Sequence, residues 1–463
     1  MTTTSTSLAK RPPSRGRLET GFWLVSFSYL VVMALATVPS PLYGLYQRRD
    51  GFSTFTITLI FAAFSLGSLV SVFFAGHASD FYGRKKVLLP GLALAAGSAF
   101  IFIFWRSLAG LYVGRALNGV AVGMVAATST AYLAELNARS RPQSSMRRAQ
   151  LMATVMNVGG LGVGAGVAGL LAQYVYAPLT FVYVVILVAL GVAMVSVLVT
   201  PETWVRATPP LTYHPQTIAV PRQARAQFFA ATGAGAIAFG ALGIFTGLSG
   251  VLLVEVLHRA SLALAGLTVF AVFGGAVVAN FVTLTWSRRT VLVTGIASNL
   301  TGLAIVVTSM WLTTPNLTLF LVGGVITGMG SGAMFKGSLG TVLMIAEPAH
   351  RAESLAGLLL AGYLGLSVPA VGLGVALRSV SPKVTLLGFT IVVALAIIAA
   401  APALLRGERS SSVSPSPLAG PVADQSAPAV AVTTTQEDAR VGDDVAVTSS
   451  NHNNHDGRVT VTK

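Results

Sequence analysis

An all-α polytopic membrane protein, with twelve transmembrane helices in two pseudo-symmetric six-helix bundles, is the fold class that three observations predict. Of 463 residues, 54% are hydrophobic and only 10% charged, with mean hydropathy +0.74. A soluble domain carries about 25% charged residues, and no water-soluble fold of this length hides so much apolar surface. Apolar windows of roughly 20 residues, the length that crosses a bilayer, occur twelve times. Lys and Arg gather in alternate loops between them.

Residues 1–20 are a polar, basic tail without the short apolar core and small-residue cleavage site of a signal peptide, so the first window is expected to stay as an uncleaved anchor. Six windows follow, near 21–45, 54–76, 87–106, 108–135, 150–173 and 178–200. The first places Tyr29, Met33 and Thr37 on one helical face. The fourth contains Arg115, and the fifth is rich in glycine. The sixth is set off by "YVYA" and a turn at Pro178. Residues 201–225, with "ATPPLTYHPQ", read as an irregular cytoplasmic loop. Six more windows lie near 226–256, 261–286, 291–312, 317–346, 353–377 and 384–406. The tenth contains Lys336, and the eleventh holds Tyr363, Ser367 and Pro369 near an expected kink. Residues 407–463 are rich in Ser, Pro, Thr, Val and Ala and are expected to be a disordered cytoplasmic tail.

The two halves, 21–200 and 226–406, echo one another weakly. The fourth window ends "AELNAR" (Ala134–Arg139) and the tenth "AEPAHR" (Ala346–Arg351). With the N-terminus inside, 22 of the 30 Lys and Arg residues fall on the cytoplasmic side and six on the other. Arg115 and Lys336 lie within windows. The positive-inside rule then makes both termini cytoplasmic, in a plasma membrane protein. The same scatter of cations accounts for the net charge of +15 without a nucleic-acid partner.

One loop is unlike the rest. "GHASDFYGRKKVL" (Gly76–Leu88) packs Asp80, Arg84, Lys85 and Lys86 between two stretches free of charge. Gly83 supplies a tight turn. Arg84 is four residues from Asp80 and can pair with it. Glu135 is the other acid at that depth, so an Asp80–Arg84–Glu135 cluster is expected.

This stretch resembles the loop 2–3 signature of the major facilitator superfamily, Gly-x-Leu-Ala-Asp-Arg-x-Gly-Arg-Lys-x-x-Leu. Gly76, Asp80, Gly83, Arg84, Lys85 and Leu88 match, while Ala78, Ser79 and Phe81 depart from it. With the six-plus-six layout the resemblance covers residues 21–406. It implies the twelve-helix fold of that family, a small-molecule substrate, a monomer and a gate latch. The charges would hold the two halves together when the cavity faces outward and part when it faces inward. A topology anchor with a tight turn is the plainer reading of the same cations.

Charges within windows are costly and point to function. Arg115 is about 30 Å of helix from Glu135. Its surroundings, "LYVGRALNGVAVG", resemble the family's fourth-helix motif Arg-x-x-Gln-Gly, with Asn118 in place of Gln and Gly119 matching. The resemblance implies a part in proton coupling, and the alternative is snorkelling to the outer surface. Lys336, about 16 Å of helix from Glu347, has no acid near it in sequence. It is expected in a wet cavity, paired with substrate, or titrating, against snorkelling or a wet structural pocket. Together the two cations predict a positive cavity and an anionic or neutral amphipathic substrate. Tyr29 and Tyr363 are candidate lining.

In the fifth window, Gly160, Gly164 and Gly169 fall roughly on one helical face, which favours close packing. The run resembles the family's exporter motif, Gly-x-x-x-Gly-Pro-x-x-Gly-Gly, with Ala165 at the Pro position and Ala168 at the first of the final glycines. Efflux and plain packing both fit. "TPETW" (Thr200–Trp204) loosely resembles a sugar-porter ending, a two-residue match common by chance.

There are no cysteines and no Walker A run, so thiolate chemistry and ATP-driven transport are excluded. No paired acids or His/Asp metal set marks an enzyme, and no cofactor or metal is expected. Proton-coupled efflux by alternating access is the leading expectation. Uptake of a sugar or organic acid, and a transporter-like sensor, remain as alternatives.

Overall fold

Each apolar window becomes a helix. The computed structural model describes residues 13–75, 78–143, 146–204, 220, 224–347 and 350–405. The N-terminal twelve residues, most of the central loop and the tail expected after 406 lie outside them. Among the described residues there is no strand. Twelve helices are long and apolar enough to span a membrane: Arg15–Asp50, Thr54–Phe74, Arg84–Phe104, Leu108–Ser140, Arg147–Tyr174, Pro178–Val199, Arg225–Glu255, Leu262–Val282, Arg288–Trp311, Leu317–Ile345, Glu353–Ala376 and Pro382–Leu405.

Helix starts follow local chemistry. Ser107, Ser261, Ser287 and Asn316 each accept a hydrogen bond from the backbone N–H three residues on, filling one of the orphan donors of a first turn. Pro178 occupies the first turn of the sixth span, where its missing N–H costs nothing.

Three spans are irregular in ways that position side chains. The first is broken at Val38 into Arg15–Thr37 and Pro39–Asp50. Pro39 and Pro41 lack the N–H groups that would serve the carbonyls four residues earlier, so the last turn before the break keeps acceptors for other partners. The fifth contains a π-helical turn, Val155–Gly159. The eighth stops at Val282, short of the predicted end at 286.

Two large apolar cores fill the molecule. One is drawn from residues between Leu18 and Val197. The other, apart from Ala165 of the fifth span, comes from Phe228 to Leu404. Glycines bring backbones together between them. A Cβ on Gly169 would lie 2.5 Å from the Leu262 carbonyl oxygen and 2.8 Å from Gly266 Cα of the eighth span. Gly160 and Gly164 face the first span instead: a Cβ on Gly164 would sit 1.9 Å from the Ala34 carbonyl oxygen. The three glycines therefore do not share one face. Four residues rotate a helix about 40° past a full turn, but the five from Gly164 to Gly169 rotate it about 140°. The fifth span is wedged between the first and the eighth, and its glycines serve both contacts.

The sixth and twelfth spans leave much apolar surface outside. Val188, Val392, Leu395 and Ile398 are all more than 60% exposed, as lipid-facing positions are in a bilayer.

Candidate functional site

At one end of the molecule the charged loop forms a closed network. Arg84, 7% exposed, donates to Asp80 at 2.6 Å, to Glu135 at 2.6 and 3.0 Å, and to the Ser79 hydroxyl at 2.7 Å. Gly83, at φ 103°, makes the turn that lets the third span begin at Arg84. Lys85 reaches the Leu198 carbonyl at 2.8 Å. Gly76 lies outside the described residues.

The residues following the sixth span complete this network. Glu202 accepts from the backbone N–H groups of Arg84 and Lys85 at 3.3 and 3.0 Å, so a carboxylate caps the N-terminus of the third span, where the helix dipole favours it. Thr203 donates to Glu135, and the Trp204 indole donates to the Asp80 carbonyl at 2.6 Å. Read along the chain, "TPETW" is a weak pattern. Folded, it straps the start of the central loop onto the cluster. Every recorded partner of Arg84 belongs to residues 79–202, within the first half. The expected clasp between the two halves is not among these bonds. A second ionic group at the same end joins Glu19 to Arg148 and, at 3.2 Å, to Arg141.

Arg115 is fully buried and does not snorkel. Its guanidinium donates to the Ala36 carbonyl at 2.6 Å and to the Tyr43 hydroxyl through Nε at 3.0 Å, with the Phe64 ring 5.7 Å away. It fills the break in the first span, where carbonyls of a helix C-terminus attract a cation. Asn118, one turn on, is also fully buried. Neither polar atom of its side chain has a hydrogen-bond partner among the described residues.

Lys336 finds its partners on a helix end. Its Nζ donates to the Asn280 carbonyl at 3.2 Å and to the Thr283 carbonyl and hydroxyl at 3.1 and 3.0 Å. It caps the early end of the eighth span, so acceptors are plentiful without any acid. Arg115 lies near the Leu108 end of the fourth span and Lys336 nearer the Ile345 end of the tenth. The two cations therefore do not make one positive cavity.

Where the halves meet, a cluster of uncharged side chains gathers around Tyr29 and Tyr363, while Lys336 of the second half is within electrostatic reach of Arg147 of the first. Tyr29 of the first span accepts a 2.8 Å hydrogen bond from the Asn157 side chain on the π-helical turn. Thr130 adjoins its hydroxyl, and Tyr363 of the eleventh span is within electrostatic reach. Ser68 adjoins Tyr363. The Phe239 ring lies 6.3 Å from that of Tyr363 and 5.0 Å from that of Phe335. Hydroxyls, one amide and aromatic faces thus come from seven different spans. Tyr29 and Tyr363 are legible in sequence as polar residues in apolar windows. Asn157 carries the same signal without standing out by it, and Phe239 and Phe335 carry none, because periodicity does not say which helical face turns inward. Among the described residues no group of His, Asp and Glu could hold a metal ion.

Comparison with known proteins agrees with this architecture. Residues 25–304 match the family model of the Major Facilitator Superfamily. The quinolone resistance protein NorA of Staphylococcus aureus is 26% identical over 145 residues, which are 31% of this chain and 36% of that protein. The uncharacterized MFS-type transporter MJ1560 of Methanocaldococcus jannaschii is 24% identical over 158 residues, 34% of this chain and 40% of that protein. The chain thus matches well under half the length of these curated relatives. The family model, by contrast, takes in more than half of the chain, and with the twelve spans it carries the assignment: this chain belongs to the Major Facilitator Superfamily.

Proposed function

We propose that this transporter exports neutral, aromatic amphipathic molecules across the plasma membrane by alternating access, in exchange for protons. The observation that carries the reading is the uncharged cluster around Tyr29, Asn157, Tyr363 and Phe239, with both intramembrane cations already engaged by helix ends. A buried site of aromatic faces and few polar groups suits a partly apolar ligand. Without a carboxylate, it gives an organic cation no counter-charge. Efflux is supported by the likeness to NorA, named for quinolone resistance, and by the glycine pattern of the fifth span. Arg84 with its two carboxylates is the gate element of this reading, breaking where water can receive its charges.

A second reading is facilitated movement without coupling. Its support is specific: every Asp and Glu of the described residues lies at or near the end of a span, none near the middle, so no intramembrane carboxylate is available to carry a proton.

Inside-out vesicles with a pH-gradient dye separate the two. Neutral aromatic amphiphiles are expected to collapse an imposed gradient in wild-type vesicles and not in Asp80→Asn vesicles. Substrate flux that leaves the gradient intact establishes the uncoupled reading. Collapse by organic cations alone overturns the proposed substrate class.

A further inference from the structure

We infer that Asn157 is a specificity-determining residue, whose side-chain carbonyl accepts a hydrogen bond from an N–H or O–H donor on the substrate. This rests on the neutral aromatic site proposed above.

Three observations meet at this residue. The fifth span is α-helical on both sides of Val155–Gly159 and π-helical within it. A π-turn adds one residue to the helical repeat, and such turns occur mostly as single interruptions at functional sites. Here it swings one amide side chain toward Tyr29. Residues 154–159 of the turn are all half-buried, between buried Ala153 and buried Gly160.

The hydrogen bonding is asymmetric. The amide nitrogen of Asn157 donates to Tyr29, whose hydroxyl lies beside Thr130 and faces Tyr363 of the other half. The amide oxygen has no hydrogen-bond partner among the described residues. An amide carries two acceptor lone pairs on that oxygen. A ligand with a donor satisfies it; an isostere that cannot donate leaves it unpaired once the ligand covers it, and that loss is what makes such sites selective. The Tyr29 hydroxyl, held by the Asn157 nitrogen, fixes the amide's orientation, so the acceptor is positioned before the ligand arrives.

Equilibrium binding to the purified full chain in lipid nanodiscs tests this with a matched pair of probes, 2-naphthol and its methyl ether 2-methoxynaphthalene. They share ring and size but differ in the donor. The wild type is expected to bind 2-naphthol about three- to tenfold more tightly, the span of one net neutral hydrogen bond. Asn157→Ala is expected to bring the ratio close to one. Asn157→Asp keeps an acceptor and is expected to keep the preference, which guards against a loss caused by misfolding. A ratio unchanged in Asn157→Ala overturns the inference, as does a wild type that binds the two equally or binds neither. Because the assay reads binding without flux, a donor preference found alongside absent proton-coupled export refutes the direction or coupling proposed above and leaves the role of Asn157 standing.

Discussion

The two halves of the molecule hold their cations differently. In the first half, Arg84 is almost buried and draws in Asp80, Glu135 and Ser79, while Glu202 closes the helix end beneath it. In the second half the corresponding loop carries Arg288 and Arg289, and Arg288 donates to the Thr341 hydroxyl at 2.9 Å. Glu347, which echoes Glu135 in the sequence repeat, is exposed. The same contrast recurs within the membrane. Arg115 is sealed into a helix break by a carbonyl and a tyrosine. Lys336 rests on a helix end and stays partly accessible. The lesson is that internal repetition preserves helix positions but not electrostatics: the first half spends charge on fixed networks, and the second uses cations at its edges.

The sharpest break of this comparison is at Arg115. Arg115→Met leaves the Ala36 carbonyl and the Tyr43 hydroxyl without their donor in a site closed to water. Unsatisfied buried groups cost about 1–3 kcal/mol each, so a loss of about 2–4 kcal/mol and a clear fall in melting temperature in lipid nanodiscs are expected. Arg115→Lys is expected to recover little of it, because one ammonium does not reproduce a fork that serves two acceptors at once. A Met variant that melts like the wild type removes the first half's claim to a fixed internal network.

An intermediate effect is expected at Arg84. Breaking a fully buried pair costs about 3–5 kcal/mol, but Asp80 and Glu135 keep 43% and 30% of their side chains exposed. Water screens what remains, and about 1–2 kcal/mol is the expected loss for Arg84→Ala. Arg288→Ala, measured beside it, is expected to change melting by less than half as much. Equal losses in the two variants erase the contrast between the loops.

The smallest effect is expected at Lys336. Lys336→Met forfeits three hydrogen bonds, but its acceptors lie at a helix end with partial access to water, and a loss below about 1 kcal/mol follows. Substrate binding is expected to persist in this variant. If 2-naphthol binding is abolished while melting is unchanged, Lys336 belongs to the ligand site and the uncharged centre is refuted.

Much of the site was legible before folding, unevenly so. Asp80 and Arg84 are four residues apart across the turn at Gly83, so local spacing is enough to pair them, and Glu135 joins them as an acid at a span end of matching depth. Arg115 is marked by being a charge in an apolar window, yet its partner, the Ala36 carbonyl in the last turn before the break in another helix, has no signature near it. Glu202 and Trp204 looked like a chance match because their meaning lies in residues more than a hundred positions earlier. At Lys336 the sequence leaves a wet cavity, a substrate partner and a structural pocket all open, because a helix terminus is invisible as an acceptor in a list of side chains.

What the amino-acid order determined by itself is the set of twelve spans, the charged loop between the second and third, and a membrane interior with no acid at mid-depth. Apolar length and the cost of desolvating charge act locally, and each can be read a window at a time. Tertiary structure alone decided that the fifth span turns Gly160 and Gly164 to one neighbour and Gly169 to another, that a π-turn aims Asn157 at Tyr29, and that both intramembrane cations close helix ends. Those outcomes depend on the rotation of each helix about its axis and on which helix end meets which side chain. Both are set by packing between segments far apart in the chain.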